Sequence, residues 1–470
     1  MDDPSPDLLT SFEAQRRAFR KQSPDYGKRL QALRTLERAL LARKDDLIWA
    51  VADDFGRRAP EETLALELFP VINEIRNARR HLGDWMAERD VEVPWQFWPA
   101  HARALYQPLG IVGILSAWNY PLFLSIGPLV GALAAGNHVM MKPSELAPRS
   151  AELLASILAG LYPPEYVTVA AGDAGLAAEF CRLPFDRILF TGSTRVGKLV
   201  MRAASENLTP VTLELGGKSP ALIHPTYSLR RAVERIVNGK LYNAGQTCVA
   251  PDYVLLAATL KDEFIRLARE SVAQLYPRLA SNPDYTRILN GQHYRRLMEL
   301  VEEARCGGAE VIVINPAGEI CDENNRVFPP TLLFGAAGNS RALDEEIFGP
   351  VLPVVLYDHL DQAIDYINDH PRPLALYYFD DDGARVRDVL ARTTTGGVTV
   401  NDCVYHLGVP GLPFGGVGPS GMGQYHGFDG FETFSKKKGI LLQRRWTPLA
   451  YLRPPYGDTA RRILRFILGA

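Results

Sequence analysis

Cysteine is scarce in this chain of 470 residues. There are five, Cys181, Cys248, Cys306, Cys321 and Cys403, odd in number and none in a Cys-x-x-Cys pair. That argues against a disulfide framework and against a structural zinc site, so no metal is expected and a reducing, cytoplasmic compartment is the default. An excess of charge of one sign is also missing. Lys+Arg total 52 and Asp+Glu 54, a formal charge of −2 with no long charged block, so the chain lacks the electrostatic footprint of a nucleic-acid binder. The opening Met1-Asp2-Asp3-Pro4 has no apolar segment behind it, which argues against a cleaved signal peptide. An unbroken apolar span is absent as well. Ala104–Met141 carries no Asp, Glu, Lys or Arg and is long enough to cross a bilayer. Pro121, Pro128, Asn119 and five glycines interrupt it, so it reads as a buried strand, a turn and a buried helix.

With 47% hydrophobic and 23% charged residues the composition is that of a folded globular protein, and the length suits two to four domains. Residues 10–90 read as helical: Leu30, Leu33, Leu36, Leu40 and Leu41 recur at helical spacing. Residues 91–107, with Pro94, Trp95, Phe97, Trp98 and Pro99, read as a packing or subunit-contact stretch. Short apolar runs then alternate with helical patterns. Strands are expected at Ile111–Ala117, His138–Lys142, Tyr166–Ala170, Arg187–Thr191 and Val211–Leu215, with helices between them. This is the βαβ rhythm of a parallel sheet covered on both faces. A second α/β rhythm follows Lys218, with strands at Ala221–His224, Tyr253–Ala257, Val351–Tyr357 and Ala375–Phe379. The fold class is α/β.

Four places could carry chemistry. Gly192-Ser193-Thr194-Arg195-Val196-Gly197-Lys198-Leu199 joins a strand to a helix, where backbone N–H groups and the helix terminus can hold a phosphate. It nearly matches a Walker A loop, but Leu199 stands where a magnesium-binding hydroxyl belongs, which disfavours a P-loop NTPase. Cys248, after Asn243-Ala244-Gly245-Gln246-Thr247, is either a nucleophile, reactive as its thiolate, or a small buried hydrophobe. Glu214 ends an apolar strand beside Gly216-Gly217. It is either a general base with a raised pKa or a charge paired with Lys218. Asn119, in Trp118-Asn119-Tyr120-Pro121, is either an oxyanion donor or part of a turn.

Six strings in order resemble those of the NAD(P)-dependent aldehyde dehydrogenase superfamily. They are Trp118-Asn119-Tyr120-Pro121, Lys142-Pro143-Ser144-Glu145, Phe190-Thr191-Gly192-Ser193-Thr194, Leu213-Glu214-Leu215-Gly216-Gly217-Lys218, Gly245-Gln246-Thr247-Cys248 and Glu345-Glu346-Ile347-Phe348-Gly349-Pro350. The likeness spans about residues 10–440. The short N-terminal region and Cys248-Val249-Ala250-Pro251 resemble the class-three branch, and within it the coniferyl aldehyde dehydrogenases.

The resemblance implies a Rossmann-like cofactor domain (1–90 and 108–213), an α/β catalytic domain (214–400) and a bridging, oligomerising element with a C-terminal tail (91–107 and 401–470). It implies that Cys248 attacks an aldehyde, Asn119 steadies the oxyanion and Glu214 activates water. Trp118, Gly192, Ser193, Gly197, Lys142, Glu145, Glu346 and Phe348 would hold the cofactor. NAD is preferred, because the Glu145 carboxylate repels a 2′-phosphate, and NADP is tolerated. A CoA-acylating variant is the rival reaction. The aldehyde is expected to be aromatic, with Tyr120, Tyr242 and Tyr405 as candidate channel residues, or aliphatic. A homodimer is expected. The basic, apolar tail around Arg461, Arg462 and Arg465 is expected to dock on the body or on a partner subunit rather than on a membrane.

Overall fold

A computed structural model describes residues 6–469. A six-stranded sheet has the order Gly421–Met422, Val211–Glu214, Arg187–Thr191, Ile111–Leu115, His138–Lys142, Val167–Val169. All neighbours are parallel except the first pair. Every residue of Ile111–Leu115 and of His138–Lys142 is buried, as befits central strands covered on both faces. The helix Pro121–Ala135 is buried along its length except at Gly131, which accounts for the charge-free run. Each large apolar side chain buried there contributes about 1.5–3 kcal/mol. Among the described residues no helix is long and apolar enough to cross a membrane.

A seven-stranded sheet has the order Glu310–Val313, Thr331–Phe334, Val351–Tyr357, Tyr253–Ala257, Pro220–Ile223, Ala375–Phe379, Gly397–Val400. Only the Glu310–Val313 edge is antiparallel. A third, antiparallel sheet joins Arg89–Val91, His101–Pro108 and Ser435–Leu442, with Ser435 opposite Pro108 and Leu442 opposite His101.

Several expectations need correction. The helical stretch 10–90 is not one pattern. Helices Pro6–Lys21, Tyr26–Ala42, Lys44–Phe55 and Pro60–Thr63 give way to a π-helical turn, Leu64–Leu68, before Phe69–Met86. Residues 91–107 are more than a proline-broken packing stretch, because a strand begins at His101. The segment after residue 400 is not wholly a bridge. Gly421–Met422 edges the first sheet beside Glu214, and the helix Gly427–Thr433 packs on Pro121–Ala135, where Gly131 and Gly430 make close backbone contact. The expected start of the catalytic segment, residue 214, is itself the last residue of a first-sheet strand. The tail helix Asp458–Leu468 rests on the body over a small area only. Phe466 sets its ring edge against Trp95 at 5.9 Å, yet Phe466 and Leu468 remain 77% and 76% exposed, and Ala460 is the one buried residue of the helix.

Candidate active site

The six-stranded sheet presents the carboxyl ends of its parallel strands to a cleft, where ligands of open α/β sheets bind, and the seven-stranded sheet closes the cleft with the segments that lead into its strands. A cavity of about 380 Å³ there is lined by Trp118, Asn119, Gly192, Ser193, Glu214, Cys248, Glu346 and Phe348, eight of the residues singled out above.

Cys248 sits on a loop that the backbone forces into an unusual shape. After the helix Leu229–Leu241, Asn243, Ala244 and Gly245 all take positive φ (52°, 50° and 77°). A Cβ at Gly245 would stand 2.3 Å from the Gly349 carbonyl oxygen, so only glycine lets the loop lie against that backbone. Asn243 Nδ2 donates to the carbonyls of Asn119 (3.0 Å) and Gln246 (3.1 Å). The Gln246 amide donates to Asn243 O (2.9 Å) and accepts from Leu289 N–H (2.9 Å). The nucleophile loop is therefore fixed before any ligand arrives.

The Cys248 sulfur receives its own N–H and that of Val249. Burial, then Glu346 and Glu214, push the thiol up to about 12. Asn119 Nδ2 donates to Gln246 O at 3.2 Å. An amide nitrogen has two hydrogens, so one remains for a ligand. Both Glu214 oxygens are buried without partners, and burial alone holds the carboxyl well above its usual range. The salt-bridge alternative for Glu214 fails: Lys218 bonds Asp252 at 2.7 Å and the carbonyls of Ala342 and Glu345 instead.

The opposite wall suits a nucleotide. Gly192, Ser193 and Arg195 open the helix Thr194–Ser205 into the cavity, with Ser193 as its cap. Thr191 Oγ1 and Glu346 Oε1 are buried, line the cavity and lack partners, as groups awaiting ligand hydroxyls would. Glu346 lies across Gly216, where a Cβ would meet its Oε2 at 1.9 Å. Burial, then Asp252, raises its carboxyl to about 8. Phe348 meets the edge of Trp118 at 5.4 Å, and His293 packs on Trp118 at 5.0 Å.

Three expected cofactor residues lie outside this lining. Lys142 and Glu145 pair with each other at 2.5 Å just past the strand His138–Lys142. Gly197 is one turn inside its helix. Its N–H is spent on Ser193 O, and the space of a Cβ is filled by Leu215 at 2.7 Å, so here it acts as a packing glycine. Tyr120 is buried, bonded to Thr247 Oγ1 at 2.6 Å and covered by the Arg58 guanidinium; it does not line the cavity.

Other residues were not foreseen. His293 and Arg296 reach the cavity from the helix Gly291–Cys306, and Arg296 holds the carbonyls of Glu346 and Ile347. A fully buried Arg58–Glu67 pair (2.9 Å) seats the Asn119 turn: Arg58 donates to Asn119 O, while Glu67 accepts the N–H groups of Leu122 (2.7 Å) and Phe123 (3.2 Å). No motif signals such a pair.

A model of the aldehyde dehydrogenase family matches residues 7–440. The chain is 47% identical to a probable coniferyl aldehyde dehydrogenase of Pseudomonas aeruginosa, covering 97% of this chain and 95% of that one. It is 42% identical to the coniferyl aldehyde dehydrogenase of Pseudomonas sp. strain HR199, covering 98% and 96%. Among solved structures, Staphylococcus aureus AldH in its substrate-bound state superposes with a TM-score of 0.92 at 37% identity, covering 98% and 99%. An aldehyde dehydrogenase of Mycobacterium tuberculosis complexed with NAD+ superposes at 0.82 and 27% identity, covering 94% and 91%.

Proposed function

The chain belongs to the aldehyde dehydrogenase family and carries out NAD(P)-dependent aldehyde oxidation, and from that premise we propose that it converts an aromatic aldehyde of the coniferyl type to its acid with NAD, through Cys248. The observation that carries this reading is one cavity that holds a thiol, a partnerless carboxylic acid and the N-terminus of a helix.

Cys248 Sγ bonds to the aldehyde carbon as the C=O π pair moves to oxygen and the thiol proton passes to water, giving the thiohemiacetal oxyanion. The Asn119 amide and the Cys248 N–H face the new oxyanion; one such donor is worth about 100–1,000-fold in rate. The nicotinamide, when bound, accepts the hydride. Ser193, Thr191 and the open end of the Thr194–Ser205 helix would hold its phosphates, and Glu346 a ribose. The resulting thioester on Cys248 is hydrolysed by water whose proton Glu214 takes. Burial holds the Glu214 carboxyl above its usual range, and it acts as the carboxylate, so deacylation should speed up with rising pH.

The partly exposed Glu145 carboxylate favours NAD over NADP. An aromatic substrate is supported by the two coniferyl-named relatives and by the Phe414 and Tyr425 rings in the cavity wall. Exposed Trp95, Trp98 and Leu441 around the three-stranded sheet support a homodimer joined through it. Five free thiols suit the cytoplasm. The test is a panel of coniferyl, benzyl and aliphatic aldehydes with NAD and NADP, with and without CoA. Preference for coniferyl aldehyde with NAD, and acid as product, supports the reading. A CoA thioester as product, or preference for short aliphatic aldehydes, sinks it.

A further inference from the structure

A second cavity, about 610 Å³, lies at the other end of the nucleophile loop and falls within the roughly 300–1,000 Å³ of small-molecule sites. Its walls include Leu64 and Leu66 of the π-helical turn, Phe69 and Val404. Tyr242, which opens the loop that ends in Cys248, and Tyr405 bring hydroxyls to it. The wall is tied closely to the nucleophile. The Val404 N–H donates to the Tyr377 hydroxyl, which in turn donates to the carbonyl of Val249, the residue after Cys248.

Asn238 and the two phenols form a hydrogen-bonded chain. Asn238 Nδ2 can only donate, and it donates to the Tyr242 oxygen at 2.9 Å. The Tyr242 and Tyr405 oxygens lie 3.0 Å apart and share one hydrogen bond in which either hydroxyl can be the donor. Two hydroxyls sharing one hydrogen bond leave one O–H of the pair free to donate at a wall that is apolar apart from Glu61, and Tyr405, 52% exposed, is the more open of the two. Donors polarised along such a chain are strengthened. A purely aliphatic guest would leave this hydroxyl without a partner, whereas a ring that bears an oxygen would not.

We propose that this cavity seats the ring of an aromatic aldehyde on its way to Cys248, and that Tyr405 selects rings bearing a hydroxy or methoxy oxygen remote from the formyl group. The inference rests on the aromatic reading above and adds the residue that sorts among aromatic aldehydes. The test compares kcat/KM for coniferyl aldehyde and cinnamaldehyde, which share the enal and the ring and differ in the ring oxygens, in the parent and in Tyr405→Phe. Loss of the donor should lower the coniferyl-to-cinnamaldehyde ratio about tenfold. Tyr242→Phe, which frees the Tyr405 hydroxyl to turn, should lower it less. A ratio unmoved in Tyr405→Phe, within about twofold, overturns the assignment while the aromatic reading stands. A parent that oxidises neither aromatic aldehyde but does oxidise aliphatic ones overturns both.

Discussion

At the residue scale the site pairs two acids, Cys248 and Glu214, that burial makes harder to ionise. Cys248→Ala should abolish aldehyde oxidation and leave NAD binding intact, since no other thiol lines the cavity. Turnover retained in that variant, with Cys403 labelled in its place, would falsify the nucleophile assignment. Glu214→Gln should give a burst of NADH followed by little steady turnover, because an amide cannot take a proton from water. Glu214 also makes a stability prediction. Its folded-state pKa is raised by burial, so the folded form binds the proton more tightly than the unfolded chain does. Stability from this group is full below the ordinary carboxylate pKa and is lost as pH climbs toward the raised value. Glu214→Gln should therefore raise Tm more at pH 8 than at pH 4; equal shifts at the two pH values would count against a buried, partnerless acid. Cys248, Glu214, Asn119 and Glu346 were legible because each sits in a short string of restricted residues at a strand end. His293 and Arg296 were not, since one His and one Arg on an amphipathic helix look like ordinary surface positions.

At the scale of elements, the turn that carries Asn119 depends on a helix from another part of the chain. Glu67 caps the helix Pro121–Ala135, and Arg58 both neutralises Glu67 and grips the Asn119 carbonyl. Removing one partner of a buried pair leaves the other charge unpaired, at about 3–5 kcal/mol. Arg58→Met should lose that much in urea unfolding and lower kcat more than it raises KM for NAD. A kcat unchanged despite the stability loss would show that Asn119 needs no such seat. The central strands were readable because burial on both faces leaves an uninterrupted apolar run, as in Ile111–Leu115 and Arg187–Thr191. Glu310–Val313, Gly397–Val400 and Ser435–Leu442 were missed because they are partly exposed and carry polar residues or glycine. Their strand character comes from partners, and for Ser435–Leu442 the partner, His101–Pro108, lies more than three hundred residues earlier.

At the scale of the whole molecule, the chain returns late to parts it built early. Ser435–Leu442 is bound along its whole length to His101–Pro108, whereas the helix Asp458–Leu468 is mostly exposed, with Ala460 its one buried residue. Truncation after Tyr456 should leave Tm nearly unchanged, while truncation before Ser435 should give insoluble protein; differential scanning fluorimetry and a solubility assay separate the two. The pairing of Gly421 with Glu214 has a further consequence, in the order of synthesis. The strand that ends in the acid leaves the ribosome about 200 residues ahead of the strand that covers its outer edge. At about 5–20 residues per second that gap lasts roughly 10–40 s. Throughout it the nascent chain carries an open sheet edge, a template for pairing with a neighbouring nascent chain. Slowing translation over residues 215–420 should therefore lower the yield of soluble enzyme more than the same delay placed after residue 442.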